Sequence, residues 1–140
     1  YDEHYVGSDA GSVASLPWVE QGVEDTLAEV PAQRTILAIP FYTRLWKTTG
    51  GAVTSEAIGM TEAQNVLTEN KVETVWDGSI SQNYGEYEKD GATYQIWLED
   101  SKSLAEKVKL IPKYKLAGVA EWKLGFENSG IWSVITENLS

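Results

Sequence analysis

Two short apolar runs set the limits on what this chain can become. They are Thr35-Ile-Leu-Ala-Ile-Pro-Phe-Tyr42 and Leu116-Ala-Gly-Val-Ala-Glu-Trp122. Neither shows the regular apolar/polar alternation of a strand with one wet face, so both read as strands of a buried parallel sheet. Helical spacing surrounds them. Over residues 15–30, Leu16, Val19, Val23 and Leu27 share a face, with Ser15 as a candidate N-cap, Pro17 in the first turn and Pro31 as the stop. Residues 100–114 place Leu104, Val108 and Ile111 together, with Asp100 or Ser103 as cap. A last helix over 129–138 spaces Ile131, Ile135 and Leu139 by four. Strands alternating with helices make a parallel α/β unit.

The stretch from about Leu45 to Leu98 has another texture. Thr61-Glu-Ala-Gln64 reads as a capping box opening a short helix through about Asn70, and Val72–Trp76 as a strand. Gln82–Glu88 and Ala92–Leu98 flank Lys89-Asp90-Gly91, and Asp-Gly is a strong hairpin signal. This is antiparallel α+β material set into a parallel frame. Counting Tyr1-Asp2-Glu3-His4 as the end of a strand, the chain holds about three parallel strands, too few to close a barrel. The opening on such residues, without Met or signal peptide, suggests a piece of something longer.

A net charge of −10 opposes nucleic acid and anionic membrane surfaces as partners, since phosphates are repelled. The longest apolar stretch, Ile36 to Tyr42, is too short to span a bilayer. There is no cysteine, and a single histidine builds no metal cluster, so no cofactor is expected. Thr49-Gly-Gly-Ala lacks the Lys and following helix of a phosphate loop. Ser55 and Ser129 have no histidine placed to activate them. Six tryptophans and seven tyrosines either fill a core or stack on sugar rings.

In a parallel α/β barrel, function gathers at the C-terminal ends of the strands. Three such ends carry Tyr1-Asp2-Glu3-His4, Phe41-Tyr42-Thr43-Arg44 and Glu121-Trp122. Each sets an aromatic beside a polar group, a mixture suited to carbohydrate. His4 reads as a hydrogen-bonding residue at a strand end ahead of a general base.

These residues, in this order, carry a resemblance that runs essentially end to end. Tyr1-Asp2 resembles the end of a Met-x-Tyr-Asp motif, and Ala14-Ser-Leu-Pro-Trp-Val19 the start of the helix after it. Ile39-Pro-Phe-Tyr-Thr-Arg-Leu-Trp46 is similar to a seventh barrel strand and its exit. Trp76-Asp77 and Tyr94-Gln-Ile-Trp-Leu-Glu-Asp100 resemble an inserted α+β domain. Leu116 to Gly125 resembles an eighth strand with its active-site tryptophan. The family is glycoside hydrolase family 18, chitinase-like, in its bacterial cell-wall and spore-cortex lytic branch. The implied fold is α/β: the C-terminal segment, about strands 6–8, of a (β/α)₈ TIM barrel. Residues 1–44 and 99–140 would form the partial barrel, and 45–98 the insertion.

The resemblance implies roles. Tyr1 would bond the substrate's N-acetyl group, and Asp2 would contact that tyrosine or the sugar. Trp122 would be the apolar floor. Tyr42 and Arg44 would line the cleft, and Trp97 and Glu99 would form a wall. The implied partner is a glycan of N-acetylglucosamine units, cleaved at β-1,4 bonds with the acetamido group as nucleophile, outside the two-carboxylate scheme. That chemistry still needs an acid. The family's Asp-x-x-Asp-x-Asp-x-Glu motif is not in these 140 residues, and neither Glu3 nor Glu121 occupies its position. The chain alone is therefore expected to be inactive and, with bare sheet edges, to form a homo-oligomer or swapped dimer. The alternative is a non-catalytic half-barrel that binds glycan or assembles. The implied location is secreted, at a bacterial cell wall or spore surface.

Overall fold

A computed structural model describes residues 1–140. In chain order the elements are α1 (Leu16–Leu27), a 3₁₀ turn (Ala32–Arg34), β1 (Ile36–Pro40), β2 (Tyr42–Thr49), β3 (Ala52–Gly59), α2 (Met60–Glu69), β4 (Val75–Asp77), β5 (Gln82–Lys89), β6 (Ala92–Trp97), α3 (Ser101–Val108), α4 (Leu110–Tyr114), β7 (Gly118–Trp122) and α5 (Ile131–Asn138). β1 and β7 pair in parallel, and the other five strands form a separate sheet in the order β3-β2-β6-β5-β4. No helix is long and apolar enough to cross a membrane.

In the parallel pair, Ile39 lies opposite Glu121 and Pro40 opposite Trp122. Successive side chains of a strand point to opposite faces. Ile39 and Phe41 join Val23, Leu104, Val108, Ile131 and Ile135 in the main core, so α1, α3 and α5 cover one face. The other face is bare: Ile36 is 60% exposed and Trp122 44%. The apolar runs anticipate cover on both faces, and this chain supplies it on one. Tyr1–His4 forms no strand. Its backbone is tied by the Glu3 amide donating to the Val13 carbonyl (2.9 Å), which leaves two parallel strands rather than three.

The five-stranded sheet packs Ile58 and Ile96 against Ala63 and Leu67 of α2. Gly85 makes that contact possible: a Cβ there would stand 3.0 Å from Val72 Cγ1 and 3.2 Å from Leu67 Cδ2. The Asp90-Gly91 turn joins β5 to β6, with φ of 52° and 75°, as a mirror-image hairpin turn requires. Gly50 and Gly51 do the same between β2 and β3 (φ 54° and 83°). The Gly-Gly pair is thus a hairpin turn, and β3 is a strand that the reading of the sequence did not foresee.

Two helix starts differ from expectation. α2 begins at Met60, not inside a Thr61 capping box, because the Phe126 carbonyl already accepts from the Met60 amide (2.8 Å). The 100–114 helix is two pieces divided at Lys109, as Pro112 removes an amide and crowds the preceding turn. Asp100 caps α3 in a reciprocal capping box with Ser103.

Candidate active site

The C-terminal ends of β1 and β7 bring three aromatic rings together. Tyr42 meets Trp122 edge to face at 5.5 Å and Tyr1 edge to face at 6.0 Å, while Tyr1 and Trp122 lie 6.4 Å apart, tilted at 35°. The parallel register produces this: the Phe41 amide donates to the Trp122 carbonyl (2.8 Å), so Tyr42 emerges beside the tryptophan. Tyr42 is buried and its hydroxyl donates to Asp2 Oδ1. Burial, then the Asp2 carboxylate, holds its phenol well above the usual range. Trp122 stays open on the bare face, with Phe126 edge-on at 5.9 Å. Arg44 donates from Nη1 to Ser55 Oγ (3.1 Å), while its buried Nε has no partner.

The nearby carboxyl groups have distinct environments. Glu3 accepts from the amide (2.7 Å) and hydroxyl (3.0 Å) of Ser15, so the Ser15 side chain is spent on Glu3 and makes no capping bond to α1, against its reading as a side-chain cap. His4 Nδ1 bonds the Ser12 carbonyl (2.7 Å), a structural contact. Glu121 has both carboxyl oxygens buried without a partner. Desolvation, then the Glu99 charge, pushes its carboxyl up to about 8. That value suits a general acid, but Glu121 shares a face with Ile39, toward the helices, whereas Trp122 looks out from the opposite face.

Glu99 and Trp97 make no ring contact or hydrogen bond with the aromatic group, although the Trp97 carbonyl accepts from the Thr43 hydroxyl beside Tyr42 and the Glu99 charge acts on the Tyr1 amino group. Glu99 is 1% exposed; its Oε1 accepts from Lys107 Nζ and Gln82 Nε2 (2.9 Å each), and its Oε2 from Ser103 Oγ (2.9 Å). Burial raises its carboxyl while Lys107 draws it back. Trp97 packs on Tyr84, ring centroids 4.9 Å apart. The structure thus gathers Tyr1, Asp2, Tyr42 and Trp122, with Arg44 further along β2. It adds Phe126 and Ser55, which no spacing in the sequence marks.

Residues 2–127 match the family model described as Glycosyl hydrolases family 18. The chain belongs to that family. Among curated relatives it is 29% identical over 138 residues to the glycosylase YvbX of Bacillus subtilis, covering 96% of this chain and 39% of that protein. With the cortical fragment-lytic enzyme of Bacillus subtilis it shares 23% identity, covering 100% of this chain and 33% of that one. Among solved structures, a Chromobacterium violaceum chitinase superposes with a TM-score of 0.92 at 25% identity, covering 100% of this chain and 44% of the other. The Bacillus megaterium spore cortex-lytic enzyme SleL gives 0.86 at 27%, covering 97% and 32%.

This family 18 chain therefore spans about two fifths or less of the curated relatives it matches. Its fold is that of the C-terminal part of the family's TIM-barrel chitinases. In that setting the bare face of β1 and β7 is the inward side of the barrel, and the aromatic group lies at the end where barrel enzymes place their sites. No group of His, Cys, Asp and Glu in this family 18 chain could hold a metal ion.

Proposed function

We propose that this chain forms one wall of the cleft of a glycosidase that cleaves β-1,4 bonds in N-acetylglucosamine-containing glycans, peptidoglycan or spore cortex ahead of chitin. The observation that carries it is the meeting of Tyr1, Tyr42 and Trp122 at the strand ends, with Tyr42 bonded to Asp2. The exposed Trp122 indole is the apolar floor for a pyranose face. Tyr1 directs its hydroxyl at the acetamido group, Asp2 and Tyr42 hold each other in place, and Arg44 lines the rim.

The reaction follows from this arrangement. The acetamido oxygen bonds to the anomeric carbon, the glycosidic C–O bond breaks, and the leaving oxygen takes a proton. Water then opens the oxazolinium ring, so configuration is retained. The proton donor is not among the wall's carboxyl groups: Glu3 is engaged by Ser15, Asp2 by Tyr42, and Glu121 faces the helices. It comes from residues outside these 140, and the chain alone is inactive. Likeness to cortex-lytic enzymes supports action outside the cell, at the wall or spore surface.

The experiment is an assay of the complete protein carrying this chain on N-acetylglucosamine oligomers and on cortex peptidoglycan, with the anomeric form of the first product followed by NMR. Cleavage with retention is expected. Inversion, or no cleavage of either glycan, overturns the reading.

A further inference from the structure

Gln82 is the first residue of β5, and its side chain is fully buried. Both protons of its amide are spent: Nε2 donates to the Leu98 carbonyl (3.2 Å) and to Glu99 Oε1 (2.9 Å). The amide oxygen is therefore turned toward Ser12, whose hydroxyl donates to it. The Ser12 oxygen in turn accepts from the Ala14 amide (3.1 Å). Glu99 Oε1 also takes a proton bond from Lys107 Nζ (2.9 Å). Ala14, Ser12 and Gln82 thus form one buried line in which every donor points toward the Glu99 carboxylate. Such a line has a single polarity, and each bond in it strengthens the next.

Ser12 stands on the return limb of the segment that begins with Tyr1 and Asp2. Its carbonyl bonds His4 Nδ1 (2.7 Å), and the carbonyl of the next residue, Val13, accepts from the Glu3 amide (2.9 Å). Gly11 lets the two limbs close, since a Cβ there would stand 2.5 Å from the His4 ring. The inserted sheet holds this limb at three points: Trp46 Nε1 donates to the Gly11 carbonyl (2.9 Å), Gln82 bonds Ser12, and the Leu16 amide donates to the Ile80 carbonyl (3.0 Å). Asp2 lies in the left-handed region, with φ of 70°. A residue other than glycine stays there only where its surroundings fix it. On one side that support is the Tyr42 hydroxyl, and on the other the Glu3–Val13 bond. The second of these sits where Ser12 puts it.

We propose that Gln82 is a positioning residue for the Asp2–Tyr42 pair, acting through Ser12 and the Glu3–Val13 bond. The inserted sheet then sets where Tyr1 and Asp2 stand relative to Tyr42 and Trp122. A shift of the limb moves Tyr1 and Asp2, while Trp122 stays where β7 holds it. Loss of the Gln82 amide therefore acts on turnover rather than on the hold of the sugar, because geometry at the reacting groups is lost and the apolar floor is kept. The inference rests on the proposed activity toward N-acetylglucosamine-containing glycans.

The test uses the complete protein that carries this chain, assayed well below its melting temperature on a short soluble N-acetylglucosamine oligomer. Gln82→Met keeps the length of the side chain and removes its amide. The variant is expected to lose about tenfold in kcat with KM near wild type. In an Asp2→Ala background the same substitution is expected to cost little more, because the residue it positions is gone. An unchanged kcat overturns the proposal, as does an equal loss in both backgrounds. Ser12→Ala is expected to repeat the loss, and supplies both readouts should Gln82→Met not fold; a wild-type kcat there breaks the route through Ser12. The second readout needs no turnover: the carbon NMR resonance of Tyr42 Cζ, assigned with Tyr42→Phe, is expected to move toward that of a free tyrosine as the bond to Asp2 loosens. Should the wild type cleave neither chitin oligomers nor peptidoglycan while that resonance moves in the variant, the proposed activity falls and the positioning stands. Cleavage with an unmoved resonance keeps the activity and removes the positioning.

Discussion

Glu121 and Trp122 are consecutive in β7 and leave it by opposite faces, the carboxyl toward Ile39 and the helix layer, the indole into the open side of the sheet. A side chain that cannot reach the floor cannot protonate a sugar lying on it. Glu121→Gln in the complete protein is therefore expected to leave glycan turnover near wild type. A collapse of turnover, with KM unchanged, would make Glu121 a candidate acid again.

The same residue makes stability depend on pH. Its carboxyl is held up to about 8 in the folded chain, against an ordinary 4.5. Between those values the folded state keeps a proton that the unfolded state has released, so stability falls as pH rises through that window. Glu121→Gln keeps the shape without the titration. The variant is expected to melt several degrees above wild type at pH 8 and alongside it at pH 4. Parallel melting curves across the range would contradict this.

Lys107 and Glu99 form an ion pair with no exposed side-chain surface. Removing one partner leaves a buried charge alone, a loss on the order of 3–5 kcal/mol. Lys107→Met is expected to lose that much stability in urea unfolding. Glu99→Leu with Lys107→Met is expected to recover most of it, and a double variant as weak as the single one would show that the surrounding Gln82 and Ser103 bonds matter more.

Trp122 is open, so its loss acts on ligand rather than on fold. Trp122→Ala is expected to cut kcat/KM of the complete protein by roughly 10- to 100-fold, the equivalent of about 1.5–3 kcal/mol of apolar contact, with little change in melting. A melting shift as large as the kinetic one would assign the indole to the core instead.

The uncovered face of β1 and β7 predicts that the isolated chain self-associates. Ile36 is the most forward of its apolar side chains, at 60% exposure. Sedimentation at micromolar concentration is expected to show dimers or larger species, shifted toward monomer by Ile36→Lys. A monomeric wild type sinks the idea.

The parallel frame and the rings at its strand ends were legible because they rest on runs of residues: Thr35–Tyr42 and Leu116–Trp122 have the composition of buried strands wherever they are found. The Asp90-Gly91 turn was legible for the same local reason. Gly50-Gly51 carries an equally good hairpin signal, but the pair also resembles a broken phosphate loop, and that ambiguity hides β3 in the sequence. Glu99 reads as a wall residue beside Trp97, but its ion pair is hidden in the sequence: Lys107 lies eight residues on, and nothing in that spacing announces a buried pair. Thr61 lost its capping role to a backbone carbonyl from Phe126, a long-range contact that local pattern cannot contain.

A single residue, Phe41, separates β1 from β2, and it is fully buried with its ring 5.3 Å from Trp132. The return crossing, Leu98 to Asp100, is pinned by the Lys107 pair and the α3 cap. The antiparallel sheet is thus mounted on two short, anchored legs, with no pliable strap on which it could swing. A cleft bordered by such a bracket has a set width, and it selects its ligand by the gap it presents rather than by closing around it.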